Sequence, residues 1–371
     1  MSPGNVLAVA GGALILAVVL WDVFITVLQH WHGAGPIGER VVRGVWRVAV
    51  RVLSNHPAAR RRRLLGYVGP GFIPLLIGLW AGLIILGFGL VYFPWIATNF
   101  SPDSGAPPPT GFTDALHFSG VSFFTIGYGD IIPTTPGMRA IGIIQGGAGF
   151  ALVTLAVSYF VSINMTYSRQ KALAESLHAL AGESADAARV IAATLVGGSD
   201  PSILASELAR LREGLSNLGS GYTNFPILHY FVARTPRESL LRLLFVAHDL
   251  SSLLDTAADA ERWPAGAGLG RRLGMESTAR LLRHSLAETL CGGGERTRQA
   301  TEAERGAVEE GRWDERFLHA CETLRSANVP VRENSRDAAA AYRRARREWE
   351  PELRASAHAL GEDWEAVTNG L

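Results

Sequence analysis

Three long apolar stretches in the first half of the chain restrict its possible folds more than any other feature. They cover residues 6–28, 72–95 and about 140–163, and each is long enough for the roughly 20 helical residues that cross a bilayer. Asp22 is the one formally charged residue within them. Of the 69 charged residues in the chain, 55 lie in residues 168–371. The sequence therefore predicts a membrane-embedded first half joined to a water-soluble second half.

The charges of the connections predict the orientation. Eight arginines and one acidic residue, Glu39, lie between the first and second spans, and a short basic connection stays in the cytoplasm. The N-terminus is therefore expected outside the cell, and the residues after the third span in the cytoplasm. The first stretch lacks a basic start and is too long for a cleaved signal peptide. We expect all three stretches to remain as spans of a multi-pass protein in the cell membrane.

A periodic run of arginines follows the first span. Its spacing across residues 37–53 predicts an amphipathic helix in the inner membrane surface, with the arginines toward anionic lipid headgroups. A voltage-sensing helix also carries periodic arginines, but it needs companion spans with counter-charges, and only one span precedes this run. The arginines concerned are Arg40, Arg43, Arg47 and Arg51. The adjacent Arg60–Arg63 run is interpreted as a determinant of topology.

The connection between the second and third spans carries a distinctive motif. Residues 112–124 are apolar and aromatic, with Thr113 and Asp114 as candidate caps, and predict a helix too short to span, so a re-entrant one. Non-helical backbone at such depth must be buried in protein or line a water-filled path. The next residues could align their carbonyls on one axis, because glycine reaches left-handed backbone angles. These residues are Thr125, Ile126, Gly127, Tyr128, Gly129 and Asp130.

Residues 72–167 resemble the pore module of potassium channels, with an outer helix, pore helix, filter and inner helix. The motif TIGYGD is similar to the TVGYGD of that family. The resemblance implies that Tyr128 holds the filter diameter, that Asp130 lies at the outer mouth, and that a homotetramer surrounds one axis. It also implies that dehydrated K⁺ is bound by the backbone carbonyls of Thr125, Ile126, Gly127 and Tyr128.

Other positions within the spans keep two interpretations open. Gly149 lies where many inner helices of that family bend, and either a hinge or close helix packing accounts for a glycine there. Val121 stands where some members carry a glutamate paired with the filter aspartate, so the partners of Asp130 are expected to differ. Asp22 is expected either to pair with a loop arginine such as Arg40 or to act in gating.

The second half of the sequence predicts helices throughout. The third span continues to about residue 181, Asp200-Pro201 begins a helix, and strand-like alternation is nearly absent. The histidines show no metal-ligand spacing, so no cofactor is expected besides K⁺ as the permeant ion. The charged residues of 295–350 are expected on a solvated helix surface, with subunit packing as the alternative. Further helices are expected near 236–257, 270–290, 297–327 and 335–360.

Together these patterns predict an all-α membrane protein with three transmembrane helices, a re-entrant pore helix and filter loop, and an all-helical cytoplasmic C-terminal domain. The expected domains are 1–71, 72–167 and 168–371. The expected function is a K⁺-selective channel gated through the cytoplasmic domain by an unknown ligand or partner. A nonselective cation channel and a non-conducting scaffold or signalling protein are the alternatives. No catalytic constellation is present in the sequence, and a net charge of +1 gives no reason to expect nucleic-acid binding.

Overall fold

The computed structural model describes residues 2–28, 35–103, 107–195, 201–306, 310–333 and 335–368. The chain forms two compact units. Unit 1 comprises residues 1–43 and 71–162, and unit 2 comprises residues 44–70 and 163–371. The predicted domain limits at 71/72 and 167/168 stay a prediction.

Three helices are long and apolar enough to cross a membrane, as the sequence predicts. The first is α1 (Pro3–Val23), which continues into a π-helical turn, Phe24–Leu28. After α2 (Pro36–Leu53) come α3 (Ala58–Tyr92) and later α5 (Pro136–Leu180), the other two membrane helices. Helix α3 begins well before the predicted span, because arginine and leucine favour helix and extend it from its apolar part back through the arginine run.

Close glycine contacts pack α1 against α3 in unit 1. A Cβ atom on Gly12 would lie 2.5 Å from the Gly87 carbonyl oxygen, and one on Gly87 would lie 2.8 Å from Leu16. Small residues let membrane helices approach in this way.

Asp22 is fully buried and joins α1 to the helices that follow it. Its carboxylate accepts hydrogen bonds from the indole nitrogen of Trp80 at 2.9 Å and from the backbone N–H of Ile37 at 2.8 Å. The sequence left open a pairing with a loop arginine such as Arg40 or a role in gating; the pairing is with other partners, and the gating role stays a prediction. The structure differs because the first N–H groups of α2 have no partner within the helix and attract a carboxylate.

A two-stranded antiparallel sheet, which the sequence pattern does not predict, joins the two ends of the outer connection. Strand β1 (Phe100–Pro102) pairs antiparallel with β2 (Ile131–Pro133), with Phe100 opposite Pro133. Helix α4 (Phe112–Phe123) and the TIGYGD motif lie between the two strands.

Helices make up most of the described part of unit 2 beyond α5, as predicted. Helix α8 is buried along nearly its whole length. The predicted helix near 297–327 corresponds to two described helices, α11 up to Gly306 and α12 from Glu310, and residues 307–309 lie outside the described residues. Asp200 lies outside the described residues, and α7 begins just after Pro201. The helices are α6 (Ala187–Thr194), α7 (Ser202–Asn224), α8 (Leu240–Thr256), α9 (Leu269–Arg272), α10 (Met275–Cys291), α11 (Gly294–Gly306), α12 (Glu310–Ser326), α13 (Ser335–Leu360) and α14 (Trp364–Thr368).

The interior of unit 2 contains an ionic network. Asp249 on α8 accepts hydrogen bonds from Arg316 at 3.0 Å and Arg346 at 2.9 Å, and Arg346 also donates to Glu350 at 2.7 Å. All four side chains are buried. The expectation of a solvated charged surface at 295–350 is therefore wrong for Arg316, Arg346 and Glu350, because these charges neutralise one another inside the fold.

Candidate functional site

Helix α4 is a short helix with a defined start. Its 12 residues rise about 18 Å, too little to cross a bilayer. The Asp114 carboxylate accepts the backbone N–H groups of Thr110 at 2.8 Å and Gly111 at 3.1 Å. Asp114 therefore acts in the cap, as the sequence indicates, and its charge suits the N-terminal end of a helix.

The backbone after α4 alternates in handedness. Thr125, Gly127 and Gly129 have φ angles of 52°, 70° and 76°, whereas Ile126 and Tyr128 between them are not in the left-handed region. Such alternation turns successive peptide groups toward one side of the chain. Gly127 and Gly129 adopt these angles at little cost, but Thr125 is a β-branched residue at positive φ, which is a strained conformation found mostly at functional sites.

The side chains of this segment are largely exposed in the single chain. Ile126 is 49% exposed and Tyr128 is 69% exposed, although both are large and apolar or aromatic. Thr125, Gly127 and Gly129 are exposed as well. The segment therefore has an open side on which other molecules or other copies of the chain can pack.

His117 holds Asp130 behind the segment, a partner that sequence reasoning missed. Its Nε2 lies 2.8 Å from Asp130 Oδ2. Its ring also stacks on that of Tyr128, with centroids 6.3 Å apart and planes within 7°. His117 precedes Val121 by one helical turn on the same face of α4, so inspection of that face for polar residues could have found it.

A buried chain of neutral hydrogen bonds ties α4 to both membrane helices beside it. The Tyr92 hydroxyl of α3 donates to Gln145 Oε1 of α5 at 2.8 Å. The Gln145 amide donates to the carbonyl oxygen of Ser119 at 2.8 Å, and the Ser119 hydroxyl donates to the Ile85 carbonyl at 2.7 Å. Tyr92, Gln145 and Ser119 are fully buried. Gln145 was the sequence signal for this network, because it is the one amide side chain in the predicted third span, residues 140–163.

Gly149 lies where α5 passes the end of α4. A Cβ atom there would lie 2.0 Å from the Phe123 carbonyl oxygen, so no larger residue fits without a shift of the backbone. Close packing thus accounts for the glycine, and the hinge stays a prediction. Arg139, near the start of α5, donates to the Pro133 carbonyl at 3.0 Å.

Helix α2 confirms the amphipathic helix that the sequence predicts at 37–53. Arg40, Arg47 and Arg51 are exposed, and Arg43 pairs with Glu39. A separate exposed face carries three valines, Val45, Val48 and Val52.

The comparisons with known proteins agree with this geometry. Residues 79–166 match the family model described as ion channel. The uncharacterized membrane protein YdjJ of Bacillus subtilis (strain 168) is 25% identical over 239 residues, which is 64% of this chain and 66% of that protein. Two pore potassium channel c of Oryza sativa subsp. japonica is 36% identical over 80 residues, which is 22% of this chain and 17% of that channel. No solved structure matches.

The chain thus spans just under two thirds of the first relative and about a sixth of the second. The family match covers about a quarter of the chain and confirms the resemblance predicted for residues 72–167. The three apolar helices and the membrane-protein relative together identify a multi-pass membrane protein whose pore-like segment is similar to ion channels.

Proposed function

We propose that this chain is one subunit of a K⁺-selective channel and that its filter is the TIGYGD segment. The observation that carries the proposal is the alternating handedness at Thr125, Gly127 and Gly129, directly after a helix too short to span. In the related channels, carbonyl rings replace the hydration shell of K⁺. The backbone carbonyls of residues 125–128 are the corresponding groups here, and Asp130 raises the cation concentration at the outer mouth.

A functional pore requires a homotetramer. One chain supplies one filter strand, whereas a carbonyl ring needs four strands around one axis. The exposure of Ile126 and Tyr128 in the single chain supports this assembly, because neighbouring subunits would cover them.

Gating is proposed to come from the helical part of unit 2, by a ligand or partner. Helices α3 and α5 are both continuous from unit 1 into unit 2. Within unit 2, close contacts hold the ends of both helices: a Cβ atom on Gly221 would meet Thr166 at 2.4 Å, and one on Gly69 would meet the Tyr230 carbonyl at 2.6 Å. A rearrangement of these contacts would therefore move both membrane helices, and Gly149 is the proposed bending point.

The proposed orientation in the membrane rests on the basic connection between the first two spans. The basic connection that holds α2 lies on the cytoplasmic side of the cell membrane, with the N-terminus outside. The exposed valines of α2 enter the inner leaflet, and Arg40, Arg43, Arg47 and Arg51 contact anionic lipid headgroups.

Potassium flux into liposomes tests the proposed filter. Reconstituted protein should conduct K⁺, and both Gly127→Ala, at a left-handed position, and Tyr128→Asp should abolish K⁺-selective flux. Gly137→Ala is the matched control, since a Cβ atom there meets nothing within 4 Å, and it should conduct normally. Unchanged flux in both filter variants would reject the assigned filter. Absence of flux in the unaltered protein would favour a non-conducting scaffold.

A further inference from the structure

A large basic cavity opens in unit 2 at the start of α3. Its volume is about 1040 Å³. Four arginines line it and face one lining carboxylate, that of Asp363; they are Arg60, Arg62, Arg63 and Arg234. The sequence interpretation of Arg60–Arg63 as a determinant of topology does not explain why they share a cavity with a residue distant in sequence.

One of these arginines is committed to the fold. Arg62 is 8% exposed, its Nε donates to the Ala233 carbonyl at 2.8 Å, and its Nη2 lies 3.2 Å from Glu362. That Nη2 nonetheless makes no hydrogen bond within the described part of the chain. Arg62 therefore stabilises the wall of the cavity, and its Nη2 can still donate a hydrogen bond.

The other three arginines have no carboxylate within salt-bridge distance among the described residues. Arg60 and Arg63 are exposed at the start of α3, and the Arg234 guanidinium lies 4.7 Å above the ring of Tyr67. The Asp363 carboxylate accepts the N–H of Glu365 at 3.2 Å. Three like charges in one cavity repel one another unless an anion lies between them.

Neutral donors converge on the same cavity. Ala58 and Ala59 form the first turn of α3 and line it, and the first N–H groups of a helix have no partner within the helix and carry partial positive charge. Thr235 lines it too, and its hydroxyl makes no hydrogen bond within the described residues. Guanidinium groups, free helix N–H groups and a hydroxyl are the donors that bind phosphate groups in proteins.

We propose that this cavity binds a phosphate-bearing anion, held by Arg60, Arg63 and Arg234. Its place along α3 favours a lipid headgroup as the source. The 29 uncharged residues that follow Arg63 in α3, 64–92, rise about 43 Å, which matches a bilayer with its headgroup layers. Arg60 and Arg63 therefore lie at one headgroup surface, where basic pockets bind anionic headgroups. Anion binding at this cavity does not depend on ion conduction, so its test is independent of the proposed filter.

Binding to the purified full-length protein in neutral detergent tests this proposal. Native mass spectrometry would count bound short-chain phosphatidylglycerol, with phosphatidylcholine as the zwitterionic comparison and pyrophosphate as the free-phosphate probe. We expect saturable phosphatidylglycerol binding that weakens at least about tenfold in Arg60→Gln/Arg63→Gln/Arg234→Gln. The matched control, Arg296→Gln/Arg298→Gln/Arg325→Gln, removes the same charge from exposed positions of α11 and α12 that do not line the cavity and should retain that binding.

The outcomes separate the two phosphate sources from a diffuse charge effect. Loss of phosphatidylglycerol binding with no pyrophosphate binding assigns a headgroup, and equal loss of both assigns the phosphate group itself. Equal weakening in the cavity variant and the α11/α12 control variant, or equal binding of phosphatidylcholine, would overturn the site. Arg60→Gln/Arg63→Gln alone keeps the Arg234–Tyr67 contact and should still weaken binding, which guards against a misfolded triple variant.

Discussion

Asp22 in unit 1 and Asp249 in unit 2 are both buried carboxylates, but different kinds of partner satisfy them. Asp22 accepts hydrogen bonds from the Trp80 indole and the Ile37 amide, which are neutral donors. Asp249 accepts from two guanidinium groups, those of Arg316 and Arg346. Burial opposes ionisation of Asp249, but Arg346 and Arg316 outweigh it and hold the pKa of its carboxyl below the ordinary value.

The same contrast runs through the two units. The network of Tyr92, Gln145 and Ser119 positions α4 with neutral groups, whereas α8, α12 and α13 of unit 2 are joined by ions. Removal of one neutral side chain leaves its former partner as an unpaired buried donor or acceptor. Removal of one ion leaves uncompensated buried charge, which costs more. Substitutions in the ionic network of unit 2 should therefore cost more stability than substitutions in the neutral network of unit 1.

The largest effect is expected for Arg346→Met. It removes the cation shared by Asp249 and Glu350 and should lower the free energy of unfolding of unit 2 by about 3–5 kcal/mol. Denaturant titration with hydrogen exchange of α8 and α13 measures it. The neighbouring Arg347→Met removes an exposed pair with Glu310 and should cost less than about 1 kcal/mol. Equal costs in the two variants would contradict the special role of the buried ionic network.

In unit 1, Gln145→Leu should have the next largest effect. It leaves the Tyr92 hydroxyl and the Ser119 carbonyl without their partner, at a cost of about 2–3 kcal/mol. Hydrogen exchange of α4 should speed up, and K⁺ flux should fall. Thr154→Val in the same helix removes only an exposed hydroxyl bonded to the Phe150 carbonyl and serves as the control. If Thr154→Val changed hydrogen exchange and K⁺ flux as much as Gln145→Leu, the buried network would not be what positions α4.

Acid should weaken unit 2 through a buried histidine. Burial lowers the pKa of His229 to about 4, although its hydrogen bond to the Pro226 carbonyl opposes the shift. An unfolded histidine titrates near 6.5, so between these values the unfolded chain binds more protons. Stability that is present above pH 6.5 is therefore lost as the pH falls toward 4, by about 2 kcal/mol at pH 5.

Unfolding free energies of the unaltered protein and His229→Gln at pH 7 and pH 5 check this sign. The variant should lose less stability than the unaltered protein on acidification. Part of the loss should persist, because burial also holds the pKa of His248 well below its ordinary value. The same pH dependence in both proteins would contradict the assignment to His229.

The smallest effect is expected for His117→Phe. Phenylalanine keeps a ring against Tyr128 but loses the hydrogen bond to Asp130, and this pair is nearly half exposed. Exposed pairs contribute less than about 1 kcal/mol, so K⁺ flux should fall by no more than about fivefold. Thr113→Ala, one turn earlier on the exposed face of α4, should leave flux unchanged. A loss of K⁺ flux as large as in Gln145→Leu would show that the half-exposed His117–Asp130 pair matters as much as the buried network.

The elements of unit 1 were largely predictable because hydropathy and the TIGYGD motif are local signals. The three spans and α4 lie where the sequence places them, although α3 begins earlier than predicted. The partners of Asp22 and Gln145 were not predictable, since each bond joins residues brought together only by packing, whereas the face of α4 that carries His117 offered a signal for the partner of Asp130. The left-handed angle of Thr125 also escaped prediction, because β-branched residues rarely adopt it.

Unit 2 shows a different limit. Its helices could be predicted, but the burial of Arg316, Arg346 and Glu350 could not. An amphipathic helix with charged residues has the same sequence pattern whether its charges face water or one another. The cavity containing Arg234 and Arg60 likewise depends on the meeting of distant segments.

The reversal potential in planar bilayers distinguishes a K⁺-selective pore from a nonselective one. With a tenfold K⁺ gradient balanced by Na⁺, currents through the reconstituted protein should reverse near the K⁺ equilibrium potential, about 59 mV from zero. Tyr128→Asp should remove that K⁺-selective current. Reversal near zero in the unaltered protein would contradict K⁺ selection by residues 125–128, and a stable monomer that carries current would contradict the shared fourfold filter.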